Sequence, residues 1–99
     1  MPIEDRSFKR LTTENVDKAP RKRGVYAIYE DKKLVFLGHA AGEADTIRSR
    51  LRGHLRTAKK GTTPRYKREP SKVPAVRLKQ LLDEYVKAHG ALPARNASA

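Results

Sequence analysis

The chain has 99 residues, with 23 Lys and Arg against 11 Asp and Glu, a formal charge of +12, and no cysteine. That length makes one domain with a small core, and the missing cysteines exclude disulfides and thiolate metal sites. Hydrophobic residues at 37% and charged residues at 34% are lean for a globular domain, but the apolar residues are too patterned for a disordered chain.

The charge repels itself in the folded state and attracts polyanions. No stretch is long enough to cross a bilayer, and no basic amphipathic segment carries a bulky apolar face suited to lipid. The first six residues lack the apolar run of a signal peptide. The expectation is a cytoplasmic protein with a nucleic-acid partner and no membrane contact.

In chain order, residues 1–12 read as a polar arm with Phe8 and Leu11 as anchors, and 13–97 as a single domain. Residues 14–19 form a short helix with a Thr cap and an acid in its first turn, ended by Pro20. Arg21-Lys22-Arg23 is a basic loop. Gly24 opens a strand over 25–30, whose alternation sets Val25, Ala27 and Tyr29 on one face and Tyr26 and Ile28 on the other. A turn at 31–33 leads to a second strand at 34–38, and the short connection makes the pair an antiparallel hairpin.

A loop of small residues follows from His39, and Asp45 or Thr46 caps the next helix. Ile47, Leu51, Leu55 and Ala58 give that helix a narrow apolar stripe, with Gly61 as its C-terminal stop. Residues 65–69 read as a third strand, at an edge because it is so charged. Residues 70–74 read as a linker. The second long helix covers 75–89 with Leu78, Leu81, Leu82, Tyr85 and His89 on one face, and Gly90 stops it. The expected fold class is α+β: a small three-stranded antiparallel sheet flanked by helices.

Several short motifs stand in order on these elements. Gly24-Val25-Tyr26 opens the hairpin and Phe36-Leu37-Gly38 closes it. Arg50-Leu51-Arg52-Gly53-His54 follows on a helix. The chain then ends on a helix and Pro93-Ala94-Arg95-Asn96. Together they resemble the GIY-YIG endonucleases over roughly residues 15–97. The resemblance implies metal-assisted hydrolysis of a phosphodiester, with Mg²⁺ or Mn²⁺ as cofactor. Residue by residue it implies a catalytic set of Tyr26, His39, Arg50 and His54, with Arg50 gripping phosphate through its planar fork. Asn96 falls on the family's terminal asparagine.

Two positions depart from the pattern. Phe36 stands where the family has its second tyrosine, and keeps the ring without the hydroxyl. Leu78 stands where the family has its metal-binding glutamate, and leucine cannot ligate a hard cation. Glu69 is the substitute ligand by location. Glu43 and Asp45 lie in the loop after the second motif, and Asp83 and Glu84 face water.

The expected nucleic-acid footprint comprises Arg21, Lys22, Arg23, Arg48, Arg52, Arg56, Lys59, Lys60, Arg65, Lys67 and Asn96, with DNA placed ahead of RNA. Each of these residues has a plainer reading as a solvated face, and Asn96 as the residue that closes the C-terminal turn. Three functions stay open: a GIY-YIG-type nuclease, a lapsed module that binds DNA or RNA without cutting, and, more distantly, a small basic ribonucleoprotein component with no relation to nucleases. Because no separate recognition domain is visible, a protein partner could supply specificity.

Overall fold

Gly24–Glu30 forms a strand buried along most of its length, because both its faces meet apolar partners. The structure, a computed structural model, describes residues 9–19, 21–30, 33–57 and 64–97. In chain order its elements are β1 (Lys9–Arg10), α1 (Thr13–Asp17), β2 (Gly24–Glu30), β3 (Lys33–Ala40), α2 (Ile47–Thr57), β4 (Arg65–Pro70), α3 (Pro74–His89) and α4 (Ala94–Ala97). The fold is α+β. Phe8, Pro20, Ala58, Lys59, Lys60 and Gly61 lie outside the described residues.

The antiparallel sheet has four strands, not three, in the order β1-β4-β2-β3. The extra strand is Lys9–Arg10, at the end of what reads as a polar arm; it pairs with Tyr66 and Arg65. This also corrects the edge placement of β4, which lies between β1 and β2. Its charged residues are accommodated in pairs and at the faces. Tyr66 is fully buried and its hydroxyl donates to the Asn15 carbonyl, Glu69 pairs with Arg77, and the Lys67 ammonium lies 5.8 Å from the centre of the Tyr29 ring.

Alternation along β2 divides the core in two. On one face, Tyr26 and Ile28 pack with Val16, Ile47, Leu51 and Tyr66 beneath α1 and α2. On the other, Val25 and Ala27 pack with Leu37 and Leu81 beneath α3, with Leu78 against them. A register shift between Ile28 and Tyr29 lets Val35 and Phe36 both join the α2 side, as a bulge does.

The helix ends follow from local chemistry. Thr12 caps α1 by accepting from the Asn15 N–H. Thr46 and Ser49 exchange hydrogen bonds at the start of α2, each hydroxyl accepting from the other's backbone N–H at 3.2 and 2.9 Å. Gly90, at φ 77°, ends α3 in the left-handed region and donates to the Val86 carbonyl, a conformation glycine adopts without a Cβ penalty. Among the described residues no helix is long and apolar enough to cross a membrane.

Candidate functional site

Tyr26 stands opposite Gly38 on β3 and opposite Arg68 on β4. Its side chain is 2% exposed, and its hydroxyl lies 3.1 Å from His54 Nε2 on α2. The Tyr26 and His54 rings meet edge-on at 5.4 Å, and Phe36 packs on both, 4.9 Å from His54 and 6.0 Å from Tyr26. Gly38 makes this possible. A Cβ there would lie 2.6 Å from both the Tyr26 hydroxyl and the Phe36 ring, so any side chain would displace the aromatic group.

Burial pushes the Tyr26 hydroxyl up to about 12; the Arg50 charge opposes that rise and Asp45 adds to it. His54 is pushed below the ordinary imidazole value, first by burial and then by the charges of Arg95 and Arg50. Both groups are therefore neutral near pH 7. One proton sits between them, carried by the hydroxyl toward a bare Nε2 or by Nε2 toward the hydroxyl oxygen.

Arg50 reaches this pair with its charge while its fork is held by a carboxylate. Nε donates to Asp45 Oδ1 at 2.6 Å and Nη2 to Oδ2 at 2.9 Å. Asp45 also accepts from the Ala41 N–H at 3.2 Å. The Arg50 hydrogen bond is the main cause that holds Asp45 below the usual carboxylate value, with smaller help from the Ala41 N–H and the His39 charge. Both partners are substantially exposed, so the pair contributes little stability.

Of the expected catalytic set, Tyr26, Arg50 and His54 come together from β2 and α2. His39 does not join them. It pairs with Val25 and so leaves the sheet on the α3 face, though its charge reaches Asp45. Glu69 also pairs with Val25, on that same opposite face. There it accepts from Arg77 at 2.7 and 3.2 Å.

The expected footprint divides in the same way. Arg48 donates to the Ala19 carbonyl just past α1 and Arg52 to Asp17 at its last residue, so both are held by the α1 segment. Arg56, Arg21, Lys22 and Arg23 are exposed. Arg65 and Lys67 pair with Tyr29 and Ala27, which sets them on the α3 side. Lys59 and Lys60 lie outside the described residues. Asn96 is a structural lock: it accepts from the Leu37 N–H and donates to the Leu37 carbonyl.

Three contributors were not legible in the sequence as parts of this group. Asp45 reads as a loop carboxylate or a helix cap, yet it holds Arg50. Arg68 stands across from Tyr26 because of the β2–β4 register, which no local pattern announces. Arg95 acts on His54 from the C-terminal turn, because Asn96 beside it pins that turn to β3. A Pro-x-x-Asn close was the one available signal, and it points to the asparagine rather than to the arginine.

The residues do not fit a divalent metal of the implied kind. Mg²⁺ needs oxygen donors at an open position. Leu78 is packed against the α3-side core, Glu69 is held by Arg77 across the sheet, and Asp45 is held by Arg50. Among the described residues no group of three or more His, Asp or Glu is arranged to hold a metal ion. No family model matches the chain, and no curated protein or solved structure matches it.

Proposed function

We propose that this chain is a nucleic-acid-binding α+β domain. In particular, we read it as a GIY-YIG-like domain that grips the phosphate backbone without cutting it, DNA ahead of RNA. The observation that carries the reading is the Tyr26–His54 hydrogen bond with the charges of Arg50 and Arg95 acting on it. A phosphate oxygen arriving above this buried pair meets the half-buried His54 ring and the cations Arg50 and Arg95. The guanidinium of Arg50 has N–H groups beyond the two that Asp45 occupies. The net charge of +12 draws the polyanion in, and sequence specificity then comes from a partner or is low.

Binding without cutting is supported by the substitutions themselves. Phe36 offers no second hydroxyl, Leu78 no metal ligand, and a phenol raised to about 12 is a poor base at neutral pH. One observation favours the rival reading, a metal-dependent nuclease: the Tyr26 hydroxyl touches a neutral imidazole, which can take a proton from it. The two readings separate in one experiment. The purified protein is incubated with plasmid, single-stranded DNA and structured RNA in Mg²⁺, Mn²⁺ or chelator. A mobility shift that survives chelator, weakens with salt and leaves the substrate intact is expected. Metal-dependent cleavage abolished by Arg50→Ala would establish the nuclease instead. No shift with any nucleic acid at low salt would remove both.

A further inference from the structure

The cations of the helix that the motifs single out are largely committed, with Arg56 left exposed near its end. On α2, Arg48, Arg50 and Arg52 are each committed to a protein oxygen. At one end of the sheet, an open cleft of about 770 Å³ is lined by Lys22, Arg23, Gly42, Glu43, Ser71 and Lys72, among others. The side chains of Lys22, Arg23 and Lys72 make no hydrogen bond or ion pair among the described residues. Three cations thus face one carboxylate, Glu43, across a concave surface, and their mutual repulsion is relieved by an anion placed between them.

The walls of this cleft are built. The Ile47 N–H donates to the Lys22 carbonyl at 2.9 Å, and the Ser71 N–H to the Arg23 carbonyl at 3.1 Å. The turn between β3 and α2 is closed on itself by two hydrogen bonds between Gly42 and Asp45. Gly42 sits at φ 112°, and a Cβ there would lie 3.5 Å from the stem of Arg23. Residues far apart in the chain are therefore fixed around one opening.

The same turn has two sides. Gly42 and Glu43 line the cleft, while Asp45 holds Arg50 beside Tyr26 and His54. One turn thus carries both the partner of Arg50 and part of the cleft wall. The cations are solvent-open, so a lone phosphate would be held weakly, whereas a polymer gains affinity at each contact by releasing counterions.

We propose that the cleft is a second phosphate-contact site for the nucleic-acid backbone, with Lys22, Arg23 and Lys72 as its cations and the Ser71 hydroxyl as a donor. It extends the grip at Arg50 around the end of the sheet and rests on the nucleic-acid reading above.

The test is the salt dependence of binding to a short labelled DNA duplex, read by fluorescence anisotropy. The triple variant Lys22→Gln, Arg23→Gln, Lys72→Gln is compared with Lys33→Gln, Lys79→Gln, Lys87→Gln, which removes equal charge from exposed positions away from the cleft. Each lost phosphate contact flattens the slope of log K against log salt by about 0.9. The cleft triple is expected to flatten it by about two to three, and the control by less than about one. Equal effects of the two variants, or no effect of the first, overturn the cleft while leaving wild-type binding and the functional reading intact. Failure of the wild type to bind at low salt overturns both. Circular dichroism confirms folding; if the triple variant does not fold, Lys22→Gln and Lys72→Gln singly carry the test, each expected to flatten the slope by about 0.9.

Discussion

The side-chain amide of Asn96 exchanges two hydrogen bonds with the backbone of Leu37, at 2.8 and 2.9 Å. β3 is an outer strand, and an open edge leaves such groups unpaired. The Asn96 amide accepts with its oxygen and donates with its nitrogen, which matches the N–H and carbonyl of one residue. Asn96→Ala strips both Leu37 groups of their partner in a half-buried setting, so a loss of about 1–3 kcal/mol is expected, read by urea unfolding. Nucleic-acid affinity of the folded fraction should also fall, because the same lock holds the turn from which the Arg95 charge acts on His54.

Gly24 and Gly38 are both required by close approach, but against different neighbours. A Cβ at Gly24 would overlap the Glu69 carbonyl and lie 2.8 Å from Pro70 Cα and from Ile47, whereas at Gly38 it meets ring ends. Backbone yields less than a side chain. Gly24→Ala should therefore lower the melting temperature more than Gly38→Ala, for which an overpacking cost of about 1–3 kcal/mol is expected. Gly38→Ala should also move Tyr26 off His54, visible as a change in the His54 ring signals by NMR.

Asp45 and Arg50 act on Tyr26 with opposite signs. Asp45→Asn removes a negative charge and should make Tyr26 ionise at lower pH. Arg50→Ala removes a positive one and should delay ionisation. The check is NMR of tyrosine labelled at Cζ, comparing the ionised fraction of Tyr26 at a fixed alkaline pH short of unfolding. A shift in the same direction for both variants would contradict the geometry described here.

His54 gives the fold a mild acid sensitivity. Its folded pKa is depressed by burial and by Arg95 and Arg50, so on acidification the unfolded chain binds the proton first. The contribution of the neutral ring is complete above the ordinary imidazole value of about 6.5. It falls as pH drops below that, until the folded form also takes the proton. Urea midpoints measured from pH 7 to pH 5, about the range in which carboxylates stay ionised, should decline. The decline should be shallower in His54→Gln.

Glu43 holds a left-handed backbone at φ 57°, a region that costs a non-glycine residue about 1–2 kcal/mol. It is also the carboxylate of the cationic cleft. Glu43→Gly should raise the melting temperature and tighten nucleic-acid binding together. A stabilised variant with unchanged affinity would separate the backbone effect from the charge effect.

By itself the sequence determined the α+β class, the hairpin of β2 and β3, the two long helices and the strong positive charge. Each of these is written in neighbouring residues: the period-two alternation from Val25 to Tyr29, the apolar stripe of Ile47, Leu51 and Leu55, the glycine that stops α3. Only the tertiary structure decided how those pieces meet. It put β4 inside the sheet by pairing it with Lys9–Arg10, and it sent His39 and Glu69 to the face away from Tyr26 through their shared register with Val25. It also committed Arg48 to Ala19 and Arg52 to Asp17 while leaving Lys22, Arg23 and Lys72 around a cleft. The reason is one of range. Periodicity and capping are set by residues a few positions apart, whereas strand register, ion-pair choice and the exposure of a charge depend on partners far along the chain, which local pattern does not encode.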